Sequence, residues 1–227
     1  MELLTENTKT KKSEALFPEW RVRIMHLAPA KISGREVCAG RSPGCTAACL
    51  FTAGMGRFEN VRKARIERTK LYWKSPSTFE SILRKELDSN VRCAERDDKQ
   101  LAVRLNGTSD LNFTHLIRCY PWVQFYDYTK VWLRWLDQWE RPIKNYHLMW
   151  SASEINEEET RTVVGKMGSV AWVGKPPMWA RVREGKWLPP VDGDEHDLRF
   201  MDPKGAVVWL NAKGKARKDK TGFARSA

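Results

Sequence analysis

Short strand-like segments recur along the chain, and stretches with helical periodicity separate most of them. Residues 20–25, 101–105, 123–128, 147–151, 169–173 and 206–210 are rich in β-branched and aromatic side chains, the composition of strands. Between them, residues 79–87, 111–120, 131–139 and 157–164 carry apolar side chains three and four apart and read as helices. Such alternation calls for a parallel sheet, because each parallel crossover has to travel back along the sheet and usually does so as a helix. Six units fall short of the complete eight-unit barrel, which takes about 250 residues. The expected fold is therefore α/β, an open partial (βα)6 barrel-like parallel sheet; a doubly wound sheet is the alternative. Pro176-Pro177 and Pro189-Pro190 bracket a Trp- and Pro-rich insertion before the last strand. Residues 1–17 read as a basic flexible leader, 18–212 as a single domain and 213–227 as a basic tail.

Cys38, Cys45 and Cys49 follow the first of these strands in the run CAGRSPGCTAAC. Thiolates are soft ligands suited to zinc or iron–sulfur clusters, and three of them leave a tetrahedral centre or a four-iron cluster one ligand short. The total of five cysteines is odd, which argues against a secreted disulfide framework and for a reducing cytoplasm. Cys93 and Cys119 fall on helical patterns away from the triad and read as buried thiols. For zinc, His26 is the candidate fourth ligand, although the CxxxxxxCxxxC spacing lacks the CxxC pair common in zinc ribbons.

In parallel α/β folds ligands sit beyond the carboxyl ends of the strands. The polar residues expected there are Asn106, Gly107, Ser109 and Asp110 after the second strand, Asp127 and Lys130 after the third, and Ser151, Ser153 and Glu154 after the fourth. A turn or helix cap would account for Ser109 alone; the convergence of all of them on one rim points to a site. Asp110, Lys130 and Glu154 are the candidate catalytic residues.

The segments NGTSD, FYDYTK and SASE, together with the cysteine loop, resemble the phage "gene product 88" family of three-cysteine proteins over roughly residues 27–154. The order of parts is more distantly similar to the radical S-adenosylmethionine superfamily, whose cluster cysteines follow the first strand of a partial barrel. That resemblance implies a 4Fe-4S cluster on Cys38, Cys45 and Cys49. It further implies S-adenosylmethionine held by Asn106, Gly107, Ser109, Asp110, Ser151 and Ser153. The superfamily's usual spacing is CxxxCxxC, and an aromatic usually precedes the last cysteine where Ala48 stands here. The alternative is a zinc protein that binds or modifies nucleic acid, with Asp110 or Asp127 as the nucleophile of a transglycosylase-like reaction.

Charge bears on partners. The formal charge of +12 favours an acidic partner, nucleic acid first. Arg62, Arg65, Arg68 and Lys70 on the basic segment 57–74, with Lys215, Arg217 and Lys218 in the tail, are the candidate phosphate contacts. Trp132, Trp135 and Trp139 read as helix–sheet packing, whereas Trp179 and Trp187, beside Arg181, Arg183 and Lys186, suit either base stacking or a flap. The acidic run 191–197 reads as a solvated turn, with metal binding or arginine pairing as alternatives. No apolar run reaches the length of a membrane span.

Overall fold

The computed structural model describes residues 1–183 and 185–225. In chain order they form β1 (Leu4–Thr5), α1 (Thr8–Leu16), β2 (Trp20–Met25), α2 (Ala30–Ser33), α3 (Pro43–Ala47), α4 (Glu59–Lys74) and α5 (Pro76–Arg96). Then come β3 (Gln100–Arg104), α6 (Thr114–Arg118), β4 (Gln124–Thr129), α7 (Trp132–Glu140), β5 (Tyr146–Ser151), α8 (Glu157–Gly165) and β6 (Val170–Gly174). The Pro-flanked insertion forms a hairpin of β7 (Val182–Arg183) and β8 (Lys186–Trp187), and β9 (Val191–Asp192), β10 (Val207–Leu210) and β11 (Ala224–Arg225) complete the set. No helix among the described residues is long and apolar enough to cross a membrane.

The main sheet has the order β1-β2-β3-β4-β5-β6-β10-β9, with β11 also paired to β6. From β2 to β9 every pairing is parallel, and β1 alone runs antiparallel, along β2. The sheet is therefore mixed, mostly parallel and open. Register assigns the faces. Val103, Phe125, Trp150, Val170 and Val207 share one face through successive pairings. That face buries the apolar stripes of α5 and α6 at one end and of α7 and α8 at the other. The opposite face presents Val22, Ala102 and Tyr126, covered by Phe17, Leu198 and Phe200. Buried parallel strands are apolar on both faces, which explains why these segments read as near-continuous apolar runs.

Three expectations require correction. The segment 1–17 is folded: Glu86 accepts hydrogen bonds from the backbone N–H groups of Leu3 (2.8 Å) and Leu4 (2.7 Å), burying both side chains. Asn7 caps α1 by accepting from Lys9 and Thr10, and the Thr10 hydroxyl accepts from the Asn7 N–H, a closed capping box. The basic tail is folded over residues 213–225, with its last two residues outside the described set. There β11 pairs with β6 through Ala224↔Val173 and Arg225↔Gly174, and Ala216 and Phe223 are buried. Because β10 occupies one edge of β6 along its length, β11 takes the other, in line with β5 and beyond its carboxyl end. The helix expected over 111–120 shrinks to α6, because Asn106 captures the Leu111 N–H (2.9 Å) and holds the preceding loop in an irregular path.

Candidate functional site

The cysteine loop is built by capping and close approach. Ser42 caps α3, its hydroxyl accepting from the Cys45 N–H (3.0 Å), and Pro43 occupies the first turn, where its missing N–H costs nothing. The Glu154 carboxylate then clamps the same turn, accepting from the Ser42 hydroxyl (2.7 Å) and the Gly44 N–H (2.6 Å). A Cβ on Gly44 would lie 2.6 Å from Phe223 and 2.7 Å from this carboxylate, and one on Gly40 would lie 2.7 Å from the Lys130 backbone. Both contacts are closer than real side chains tolerate, so only glycine lets the loop lie so close to the neighbouring strand ends. Cys45 rides on α3 and Cys49 follows it directly. Cys38 lies 3.6 Å from the Thr108 carbonyl of the next strand's loop.

That loop is organised by Asn106. Its N–H and side-chain amide donate to the two oxygens of Asp127 (2.7 and 2.9 Å), while its side-chain oxygen accepts from Ser109 (2.8 Å). Gly107 and Thr108 tie back to the carbonyls of Met25 and Leu27. Asp110 joins three elements: it accepts from the Lys130 N–H (2.8 Å) and the Thr129 hydroxyl (3.1 Å), and it pairs with Arg134. Arg134 also faces Asp127 (3.5 Å) and hydrogen-bonds Tyr146. Lys130 Nζ donates to the Ser151 hydroxyl (2.8 Å) and stands 5.6 Å from the centre of the Phe223 ring.

A cavity of about 420 Å³ opens at the carboxyl ends of the parallel strands. Cys38, Cys45 and Cys49 line it together with Asn106, Gly107, Ser109, Asp110, Lys130 and Ser151. His26, Arg65, Arg104 and Asp197 contribute further wall, and Ala216 and Phe223 of the folded tail also line it. Burial pushes the Cys38 thiol up to about 12, reinforced by Asp110 and the other two cysteines and opposed by Lys130. Burial likewise raises Cys49. Any metal would have to displace protons from these thiols, and its binding would release them. Among the described residues no group of three or more His, Cys, Asp or Glu side chains is spaced to hold a single metal ion.

Several predicted residues lie elsewhere. Ser153 and Glu154 do not line the cavity: Ser153 is buried beside it, and Glu154 is spent on the cysteine loop. Asp127 is 1 % exposed and points into the Asn106–Arg134–Tyr146 cluster, which removes it as a nucleophile. Arg65 and Arg68 are buried and turned inward, Arg68 donating to the Glu2 carbonyl (2.7 Å), so they are not surface phosphate contacts. Arg62 and Lys70 are exposed, but Lys70 is paired with Glu67 (2.8 Å). Lys215, Arg217 and Lys218 are exposed on the folded strap. Cys119 is exposed and not a buried thiol. Arg181 stacks 3.8 Å from the Trp187 ring and Arg161 4.1 Å from Trp179, so both rings are covered on one face by arginine. Side-chain detail at Arg183 lies outside the described residues. The acidic run is an ion-pair staple, in which Asp197 meets Lys9 (3.1 Å) and Arg104 (3.2 Å) and Asp194 meets Lys213 (2.6 Å).

Sequence reasoning missed Arg134, Arg104 and Lys9. Arg104 had a readable signal, a charge inside a strand otherwise fit for burial; Lys9, in a polar segment, had none. No curated protein and no solved structure matches the chain. The Gene product 88 family model matches residues 1–227, well beyond the 27–154 that carry the visible motifs. By that match the chain belongs to the Gene product 88 family.

Proposed function

We propose that Cys38, Cys45 and Cys49 hold a 4Fe-4S cluster and that the protein is a radical S-adenosylmethionine-type enzyme acting on a nucleotide-derived or other acidic substrate. The observation that carries this reading is the company the thiols keep. All three line one cavity at the end of the first parallel strand, beside Arg65 and Lys130, two cations with no carboxylate partner among the described residues. A trithiolate centre is anionic, and Lys130 brings positive charge to Cys38 and Cys49. Three thiols set around a cavity suit a cluster, which binds each thiolate at a different iron, better than one zinc, which draws them to about 2.3 Å bonds around a point. The fold supports the same reading: the parallel strands β2 to β6 follow in sequence order with α5 to α8 on one face, the topology from which a partial barrel is made.

When bound and reduced, such a cluster supplies the electron that splits the sulfonium of S-adenosylmethionine. The chain's own residues bind and orient. Ser109, Asp110 and Ser151 present polar groups to the cavity, and the Asn106 network fixes the loop that carries two of them. Arg134 pairs with Asp110 and holds it in place. Ala216 and Phe223 close one side and exclude water. Nucleic acid enters this proposal as a source of substrate, not through the α4 face, whose Arg65 and Arg68 are turned inward.

Anaerobic purification tests the reading. The protein should be brown, absorb broadly near roughly 400 nm, and contain iron and acid-labile sulfide in equal amounts. Replacing any one of the three cysteines by Ala should abolish the iron. After reduction with dithionite it should release 5′-deoxyadenosine from S-adenosylmethionine. Colourless protein with one bound zinc would sink the proposal and leave the zinc reading.

A further inference from the structure

A second feature of the cavity is its charge. Along the wall formed by α1, β2, β3 and α4, the lining side chains include Lys9, His26, Arg65 and Arg104, with Asp197 as their carboxylate. Asp197 is fully engaged: it meets Lys9 (3.1 Å) and Arg104 (3.2 Å), and it accepts from the Tyr126 hydroxyl (3.0 Å). On this wall three cations face one carboxylate, a local surplus of two positive charges. Arg65 is the uncompensated member. It is 7 % exposed, and its nearest acceptor is the Phe51 carbonyl at a long 3.5 Å. Burial and the neighbouring Arg68 hold it below the usual guanidinium range, at about 10. His26 makes no hydrogen bond to a described residue, and burial with Arg65 and Arg104 keeps its ring neutral. The amino end of the nine-residue α1, at Asn7, Thr8 and Lys9, also lines the cavity and adds its positive dipole.

We propose that this wall binds a phosphomonoester dianion, the charged group of the substrate. A buried cation without a counter-ion is costly, and an anion of the right shape relieves that cost. The guanidinium of Arg65 offers a planar fork suited to two phosphate oxygens at once. A dianion matches the surplus of two, whereas a carboxylate leaves one charge uncompensated. Lys9 and Arg104, already held by Asp197, supply field more than free N–H groups; Arg65 and His26 supply the donors. This inference names the substrate class for the reaction proposed above and rests on that reading for the chemistry, but not for the binding.

Calorimetry on the full chain at low ionic strength, before and after iron loading, provides the test. Inorganic phosphate and ribose 5-phosphate should bind, and acetate at least tenfold more weakly. Arg65→Gln should cost about tenfold or more in phosphate affinity, the size of a lost charge-assisted hydrogen bond. Arg65→Lys should keep part of it, and Arg62→Gln, on the exposed face of the same helix, should change nothing. In unaltered protein, ribose 5-phosphate should slow iodoacetamide labelling at Cys45 and Cys49 and leave Cys119 unchanged, a readout that survives if Arg65→Gln does not fold. The inference is overturned if phosphate does not bind, if acetate binds as tightly, if Arg65→Gln binds equally well, or if labelling of the cavity cysteines is unaffected. Phosphate binding by protein that takes up no iron would remove the cluster and leave this subsite standing.

Discussion

Arg134 bridges the half-buried Asp110 and the buried Asp127, so its removal leaves two negative charges without that counter-ion. Breaking a buried pair by deleting one partner costs about 3–5 kcal/mol. Arg134→Met should therefore lower stability by that order, read as a fall in the urea midpoint, while Arg141→Met, exposed just past the carboxyl end of α7, should have little effect. Glu154 acts on a smaller scale. Glu154→Gln keeps the shape but loses charge-assisted acceptance from Ser42 and Gly44. A loss of about 1–2 kcal/mol is expected, with faster alkylation of Cys45 followed by mass spectrometry. An unchanged labelling rate would show that the loop holds its place without the clamp. At this scale the sequence was readable in part. Asp110, Lys130 and Ser151 are expected at strand ends and line the cavity there. Asp127 was misread because β4 alternates: Phe125, Asp127 and Thr129 face the helices while Tyr126 and Tyr128 face away. Arg134 was invisible because, within WLRWL, a charged residue reads as the solvated side of an amphipathic helix.

The parallel strands were legible because buried strands must be apolar, and α5 because Phe79, Leu83 and Leu87 repeat at helical spacing. The two ends of the chain were not, since neither is held by an apolar pattern. α1 has almost no amphipathic character and is fixed by its capping box, by Ser13 accepting from the Asp197 N–H (2.8 Å), and by Lys9. The strap that ends in β11 relies on two buried apolar side chains and four residues of pairing. Phe223 is its anchor, packed with Ala48 and Ala216 beside Cys45. Phe223→Ala should cost about 2–4 kcal/mol, toward the low end of aromatic truncations because the ring sits at an edge. It should also accelerate alkylation of Cys45. A variant with unchanged melting temperature and labelling would mean that the strap does not depend on the ring.

Across the whole molecule, burial shapes the response to acid. His26, His147 and His196 are held to about 3, about 4 and about 4, first by burial and then by Arg65 for the first and Arg199 for the other two. A histidine whose folded value lies below its unfolded 6.5 contributes stability that is complete above 6.5 and is lost as pH falls toward the folded value. Asp202, raised to about 6 by burial, and Asp127, also raised by burial, act in the opposite sense above 3.8, but they are two groups against three. The melting temperature should hold steady at neutral pH and drop by several degrees from 6.5 to 4, before most carboxylates titrate. A flat profile over that range in differential scanning fluorimetry would contradict these buried neutral rings. The cavity wall itself draws on segments from residues 7–9 to residue 223, with Ile24, His26, Arg65, Ser151 and Val173 between them. Pieces so far apart in the chain come together only when the whole sheet has formed, so no fragment of the protein carries the pocket. In a small zinc domain the ion gathers its ligands and drives folding; here apolar burial and strand pairing across the whole sheet gather the three cysteines.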